Sequence, residues 1–313
     1  MTDTVRLDAQ GAVSGPANVN TARSYRAVSG HTTTADQLGP LADFPGFWEG
    51  TGFSIIARPD FDTDNSDGFF LQLNLLRETI EFLTIGSPVI DRGSKQNSIP
   101  LFGVTYLHRV TDAITGGALH IETGSWLVIP PTTEPANNDT SIARLSVIPH
   151  GNSLCATGFP EYVVPTGPIE IPPSNTVPYP IGGQPPPPGT KNPFRAYDLS
   201  LDTPYRTRPV PPGITQAILD DPITLLRDAL AGQNVEHITR LIVSTAMGGG
   251  VDNIPFIVQN ADVTSFDSVF AIERVEGPQG ADFMQLQYVQ TAPLKFRGMI
   301  FPHVTVGTLV KAF

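Results

Sequence analysis

The sequence predicts a mostly β protein, a single antiparallel barrel with one helix and a long proline-rich excursion. Many stretches alternate between apolar and polar residues, as in Ser141–Ile148 (SIARLSVI), and this period of two is typical of strands with one buried face. Short turns join these stretches, which favours an antiparallel meander over a parallel sheet. Proline (31) and glycine (29) together approach a fifth of the 313 residues, so much of the chain must be turn or loop.

The chain starts with a low-complexity segment, followed by the first predicted strand. Residues 1–38 are rich in Ser, Thr, Gly, Ala and Asn and lack periodicity, so we expect a flexible arm. An arm of this length can also lie across a partner subunit. The first strand is predicted at Phe47–Gly52 (FWEGTG), where Trp48 closes one end of the barrel or is an ordinary buried tryptophan.

Several further strands are predicted in the first half of the chain. Phe69–Thr84 is expected to form two strands with a break near Arg77, although its leucine spacing also fits a helix. Ile99–Thr111 and Gly117–Pro131 form a hairpin around a Gly-Gly turn. The first meander ends with two shorter strands, Ser141–Ile148 and Ser153–Gly158.

A proline-rich segment, residues 159–213, interrupts the strand pattern. It contains the run Pro185–Pro188 and cannot be helix or central sheet. We expect either a surface loop or a lid or subunit arm that covers the barrel mouth. A helix is predicted next, at residues 214–231, with Asp221 as cap, Pro222 in the first turn and Gly232 at the end.

The second half of the chain is predicted to complete the same barrel. Gly248–Gly250 is expected to be a flexible turn. Neither half has enough strands for an obvious barrel alone, so residues 39–313 are predicted to form one domain. The strands predicted in this half are Val235–Thr245, Ile254–Gln259, Asp262–Glu276, Phe283–Thr291 and Phe296–Val310.

The composition excludes several classes of function. The net charge of −11 argues against nucleic-acid binding, which needs a basic face. No run of about 18 apolar residues is present, so no membrane span is expected. Cys155 is the single cysteine, and the N-terminus lacks the apolar region of a signal peptide. We therefore expect a soluble, cytoplasmic protein.

His303 is a candidate ligand-binding residue on the last strand. It shares a face with Thr305 and Gly307, whose small side chains are expected to leave empty volume. A planar ligand such as haem needs an imidazole beside an apolar cavity, so His303 is the candidate metal ligand. The alternative is a hydrogen-bonded histidine in the core or at the rim.

His120 and Glu122 form a second candidate site. They lie on one face of a strand, where a carboxylate can orient an imidazole for acid–base chemistry. Tyr106 and His108 on the preceding strand place a phenol and a second imidazole on the same wall. The alternative is a solvated strand face.

The motifs at these residues resemble those of the nitrobindin group of haem-binding barrels, within the calycin architecture of fatty-acid-binding proteins and lipocalins. The similar stretches are FWEGTGF at Phe47–Phe53, LHIETGSW at Leu119–Trp126 and HVTVGTLVK at His303–Lys311. The resemblance implies a haem whose iron is held by His303. It also implies chemistry on small oxidants such as nitric oxide, peroxynitrite or peroxide. A pocket for the haem would be formed by His303, Thr305, Gly307, Trp126, His108 and Trp48.

Three functions are therefore expected, and whether the protein is an enzyme is left open. The first is haem binding with chemistry on small oxidants. The second is haem-free binding of a fatty acid, terpenoid or other hydrophobic ligand, as in a lipocalin. The third is a cofactor-independent isomerase or hydratase that uses His120, Glu122 and Tyr106. A small hydrophobic or planar ligand is the expected partner, and homo-oligomers can form through the arm or the proline-rich segment.

Overall fold

The computed structural model describes residues 6–7, 13–14, 35–61, 64–166, 169, 171–277 and 280–312. Most of the predicted arm, residues 1–38, lies outside the described residues. Two short strands of the arm are described, Arg6–Leu7 and Val13–Ser14, and they pair with each other. Helix α1 (Ala35–Leu38) follows and continues into a 3₁₀ turn at Gly39–Leu41.

Ten antiparallel strands form a closed barrel, as the alternating pattern predicts. Each strand pairs with the next one along the chain, and the last pairs back with the first, so the barrel has no free edge. The strands are β1 (Gly46–Pro59), β2 (Phe69–Thr84), β3 (Ile99–Asp112), β4 (Ala118–Ile129), β5 (Ser141–Ile148), β6 (Asn152–Val163), β7 (Val235–Asn253), β8 (Asp267–Val275), β9 (Phe283–Phe296) and β10 (Met299–Lys311).

The remaining elements are short. The helices are α2 (Gln216–Asp220), α3 (Thr224–Leu230), α4 (Pro255–Asn260) and a 3₁₀ turn at Arg195–Tyr197. None of the described helices has the length and apolar character needed to cross a bilayer. The additional strands are Val89–Asp91 on β3, Thr132–Thr133 paired with Ala136–Asn137, Tyr179–Pro180 on β10 and Asp262–Val263 on β9.

Four local predictions were wrong. β2 is one continuous strand through Arg77, because its residues pair along β1 without interruption. The predicted helix at 214–231 is two helices, α2 and α3, because Asp221 is extended and Pro222 has no N–H to continue α2. The predicted strand at 254–259 is helix α4, with Pro255 in its first turn. Gly248–Gly250 lie within β7, where the register against β6 shifts, instead of forming a turn.

One end of the barrel is closed by apolar side chains. Leu38, Leu41 and Phe44 are buried and pack in one cluster with Trp48, which is fully buried at the start of β1. The indole Nε1 of Trp48 donates to the carbonyl of Phe44 at 2.8 Å. This end is therefore the hydrophobic base of the barrel.

The proline-rich segment packs on the outer wall of the barrel. Outward-facing Phe53 and Ile55 of β1 are fully buried in the same cluster as Tyr197, Ile218 and Leu219. The main chain on either side of Arg206 also bonds to Leu71, with Leu71 N donating to Tyr205 O and Thr207 N donating to Leu71 O. In its described part, the segment predicted at 159–213 is therefore a packed wall element, and it starts after Val163, where β6 ends.

Candidate functional site

The barrel interior is polar at the end opposite Trp48. Here β3 turns into β4 at Asp112–Gly117, β5 turns into β6 after Ile148, and β10 begins. Strand alternation points every second side chain of these strands inward. We call the six buried residues gathered there the polar cluster: Glu78, Tyr106, His108, Glu122, Arg144 and Tyr288.

A buried ion pair lies at the centre of the polar cluster. Arg144 Nη2 donates to Glu122 Oε1 at 2.8 Å, and the hydroxyl of Tyr106 donates to the same oxygen. Arg144 Nε is 3.2 Å from Tyr106 Oη. Burial opposes ionisation of Glu122, but Arg144 and the bonds from His120 and Tyr106 hold its pKa well below the usual range. Glu122 is therefore an anion in the folded protein.

The guanidinium of Arg144 is fully enclosed. Its Nη1 reaches Ser268 Oγ at 3.2 Å and also bonds to the side chain of Gln290. Four aromatic rings surround its Cζ, with centroids 5.0 to 5.7 Å away. Because its donors are already used by the chain, Arg144 acts as a fixed charge that positions Glu122.

A second buried pair stands beside the first. His108 Nε2 lies 2.7 Å from Glu78 Oε2, and Tyr288 Oη donates to that oxygen at 2.5 Å. Glu78 Oε1 has no hydrogen-bond partner among the described residues. The rings of His108 and His120 are 6.1 Å apart, so the two pairs adjoin.

Glycines make room for the polar cluster. A Cβ on Gly307 would lie 2.4 Å from the ring of Tyr288 and 3.0 Å from Glu78 Oε1, and one on Gly124 would lie 2.8 Å from the ring of Tyr106. The prediction of empty volume at Gly307 is therefore wrong, because the side chains of Tyr288 and Glu78 fill that space. The glycine at 124 is explained by the same close approach.

His120 is the accessible member of the site. Its side chain is 29% exposed, whereas that of Glu122 is 3% exposed. His120 Nε2 lies 3.2 Å from Glu122 Oε2. A carboxylate can only accept, so Nε2 must carry the hydrogen and Nδ1 keeps a free lone pair. His150 stacks on His120 with centroids 5.8 Å apart and is exposed.

His303 lies across the same end of the barrel. Its Nε2 is 3.0 Å from Ser54 Oγ and 3.3 Å from Thr305 Oγ1. Burial, together with smaller effects of the nearby His120 and His150, lowers the pKa of His303 to about 4. The imidazole is therefore neutral near pH 7, which leaves it able to act as a hydrogen-bond partner or a metal ligand.

The structure gathers most of the predicted site residues and separates two of them. Tyr106, His108, His120 and Glu122 are joined by direct contacts, and His303 is at the same end. Trp126 contacts Arg144 deeper inside, with its ring 5.5 Å from the guanidinium carbon. Trp48 is six residues along β1 from Ser54, roughly 20 Å at about 3.3 Å per residue, too far for one haem to contact both it and His303.

Glu78, Arg144 and Tyr288 are in the polar cluster but were not among the predicted site residues. Glu78 shares its strand face with Ile80 and Phe82, so a lone charge on an apolar face was a usable signal. For Arg144, the sequence pattern pointed to the wrong face of the strand as the buried one. The alternating face of its strand contains Leu145 and Val147, which look like core residues but are exposed.

Comparisons with known proteins give no family. No protein-family model and no curated protein matches the sequence. Among solved structures, the chain is similar to the crystal structure of Rv2717c from M. tuberculosis, with 14% identity, a TM-score of 0.42, and coverage of 88% of this chain and 94% of that one. A similarity at this level carries no information on function. Within the described ranges, no group of three or more His, Cys, Asp or Glu side chains is placed to hold a metal ion.

Proposed function

We propose that the barrel binds a small ligand at its polar end and that His120 transfers a proton to and from that ligand. One observation carries the proposal: an accessible imidazole is held by a buried carboxylate, which is itself held by Arg144. This order of base, orienting carboxylate and fixed countercharge is the arrangement that general acid–base catalysis needs.

The chemistry follows from the hydrogen bonds. His120 Nε2 donates to Glu122, so Nδ1 is the basic atom. When Nδ1 takes a proton, the resulting imidazolium lies beside the Glu122 anion and is stabilised by it. If the proton comes from the ligand, its return to a different atom of the same ligand is an isomerisation. If it comes from a water molecule whose hydroxide adds to one atom of a ligand double bond, its delivery to the other atom of that bond completes a hydration. His120 is the base in either step, and Glu122 orients it.

The polar end also offers contacts that can orient a ligand. His303, Thr305 and His150 retain accessible surface there, and the Oγ of buried Ser146 has no partner among the described residues. The inner half of the barrel is instead filled by Trp126, Phe270 and other rings in mutual contact. This packing favours a ligand at the mouth over a fatty acid deep in the barrel.

A generic proton-abstraction substrate tests the base. 5-Nitrobenzisoxazole opens when a base removes its ring C–H proton, with cleavage of the N–O bond and release of a coloured phenolate. We expect the wild-type protein to accelerate this reaction beyond an equal concentration of free imidazole. The His120→Ala variant should lose tenfold or more of kcat/KM, since general bases contribute roughly 10² to 10⁴ in rate.

Matched variants control for unspecific effects. His237→Ala removes a histidine of β7 that makes no contact with the polar cluster among the described side chains, and it should leave the rate unchanged. The acid–base proposal is wrong if His120→Ala keeps a wild-type circular dichroism spectrum and a rate within threefold of wild type. It is equally wrong if the wild-type protein does not exceed free imidazole.

Haem binding through His303 is our second proposal. It is favoured by the neutral imidazole near the mouth, because only neutral imidazole binds iron. The surrounding residues do not fit haem as they stand. His303 Nε2 is engaged by Ser54 and Thr305, and Tyr288 fills the space at Gly307. Haem would need to displace both hydroxyl contacts.

Absorption spectroscopy separates this proposal from the first. Haem added to the wild-type protein should give a shifted Soret band that His303→Ala abolishes and His237→Ala preserves. A spectrum identical to that of free haem contradicts haem binding and leaves the proton-transfer proposal unaffected.

A further inference from the structure

A cavity, called the outer cavity, lies outside the barrel wall. It has a volume of about 430 Å³ and is partly open to solvent. It lies between the outer wall of β7, β8 and β9, the start of the proline-rich segment, and helix α3. This volume is within the usual range for small-molecule sites. Of the polar cluster, only Tyr288 also lines the cavity, and neither His120 nor Glu122 does, so the inference does not rest on the function proposed for His120.

The cavity is lined mostly by apolar side chains. Ile238 and Val269 form part of the floor on β7 and β8, and Ile171, Ile223 and Leu226 cover it from the other side. Leu226 and Ile223 are buried and belong to the cluster that fixes the helices to the wall. An apolar molecule therefore finds a preformed hydrophobic site between two packed layers.

Two buried polar side chains, Gln287 and Glu273, give the cavity hydrogen-bonding groups. Gln287 donates through Nε2 to the carbonyl of Leu226 at 3.0 Å and to Thr308 Oγ1 at 3.1 Å. A carbonyl can only accept, so the amide nitrogen must lie on that side and Oε1 on the other. Gln287 is 2% exposed, and its Oε1 has no partner among the described residues. Gln287 lines the cavity, and this unpaired acceptor lies just beneath the cavity surface.

Glu273 is the second polar group, and it is 1% exposed. Gln285 Nε2 donates to Glu273 Oε2 at 2.7 Å. Burial raises the pKa of Glu273 to about 7, against smaller opposing effects of Gln285 and Arg240. A large share of this carboxyl is therefore protonated near neutral pH and can donate a hydrogen bond.

The charges around the cavity select against charged ligands. Arg240 lies 3.8 Å from Glu161, so its charge is already compensated by a carboxylate. Because Arg240 and Glu161 already compensate each other, a ligand charge of either sign would lose its hydration without finding an uncompensated countercharge in this pair. A hydroxyl group, in contrast, can accept from protonated Glu273 and donate to Gln287 Oε1.

We propose that this cavity is a binding site for a neutral, mainly apolar molecule that carries one hydroxyl group. The apolar body lies between Ile171 and the wall of β8, and the hydroxyl lies between Glu273 and Gln287. The occupant is thus a small apolar alcohol that lies on the outer side of the barrel wall.

Isothermal titration calorimetry with 1-decanol at pH 7 tests the proposal on the full chain. We expect saturable binding of one molecule per chain, with decanoate and decylamine at least tenfold weaker. Ala271→Phe fills the cavity from its floor and should abolish binding. Glu273→Leu removes the donor and should weaken binding about fivefold, the equivalent of one neutral hydrogen bond of about 1 kcal/mol.

Controls place the alcohol in the cavity and not elsewhere. Leu145→Phe adds the same ring on the exposed outer face of β5 and should leave binding unchanged, as should His120→Ala at the barrel mouth. Val269→Phe is the second filling variant if Ala271→Phe does not fold. The proposal is overturned if wild type shows no saturable binding, if a folded filling variant binds as wild type does, or if a charged analogue binds as well as the alcohol.

Discussion

The Arg144 to Glu122 pair gives the sharpest test of the structure. In Arg144→Met, Glu122 stays buried among Tyr106 and the aromatic rings but loses its only cationic partner with a fixed charge among the described residues. Breaking a buried pair in this way costs roughly 3–5 kcal/mol, because an uncompensated charge remains in the interior. The variant also loses the bonds from Arg144 to Ser268 and Gln290, which places the expected cost at the upper end of that range.

The cost should depend on pH. In the wild type, the pKa of Glu122 is lowered in the folded state, so the pair stabilises the protein above the carboxyl's unfolded pKa and is lost only at lower pH. In Arg144→Met, burial alone raises the pKa of Glu122, so the variant becomes less stable as pH rises from 5 to 8. Adding Glu122→Gln removes the buried charge and should recover about 2 kcal/mol at pH 8.

Urea unfolding followed by tryptophan fluorescence measures these changes. The two tryptophans, Trp48 and Trp126, are both fully buried, and Trp126 contacts Arg144 directly. Arg208→Leu is the control, because Arg208 pairs with Asp202 on the surface at 3.1 Å and should cost less than about 1 kcal/mol. A cost for Arg144→Met that is equal at pH 5 and pH 8, and that Glu122→Gln does not relieve, would refute this account.

Three further predictions concern single residues. The pKa of His303 is lowered from 6.5 to about 4, so its contribution to stability is complete above pH 6.5 and falls by up to about 3 kcal/mol as pH drops to 4. In urea titrations, the free energy of unfolding of His303→Gln should lack this dependence on pH. The pKa of Glu273 is raised from 4.5 to about 7, so its contribution is lost as pH rises between these values, and a flat difference between wild type and Glu273→Gln over that window would contradict the assignment. Gly307→Ala should cost about 1–3 kcal/mol through its 2.4 Å approach to Tyr288, whereas Gly117→Ala, with its nearest neighbour at 3.4 Å, should change thermal stability little; equal melting temperatures would argue against the packing at Gly307.

Local sequence patterns predicted most of the strands correctly. The predictions that were wrong have physical causes. Alternation along Ser141–Ile148 and β9 identifies strands because side chains of a strand point to opposite faces. The break expected near Arg77 failed because a polar residue on the outer face of a strand does not interrupt its ladder. The strand expected at 254–259 failed because short apolar runs fit helix and strand equally well.

Part of the site was predicted correctly, again because alternate side chains of a strand lie on the same face. His120 and Glu122 share a face by parity, and Tyr106 and His108 share one on the next strand. The pairing of these strands then brings Tyr106 and Glu122 into contact, which spacing alone cannot determine. The alternating pattern could not predict that Arg144 is buried. In its strand, Arg144 and Ser146 face inward, whereas the apolar Leu145 and Val147 face solvent.

The sequence by itself determined the strand content, the meander order and which residues share a face, because these depend on local periodicity and turn chemistry. Only the tertiary structure decided three other features. Closure of β10 on β1 pairs Thr305 with Ser54 and brings the His303 side chain within hydrogen-bonding distance of Ser54. Strand register places Arg144 beside Glu122 and Tyr106. Packing of the proline-rich segment on the outer wall creates the outer cavity. Each of these depends on contacts between residues distant in the chain, where the position of one side chain is fixed by the register of several strands at once.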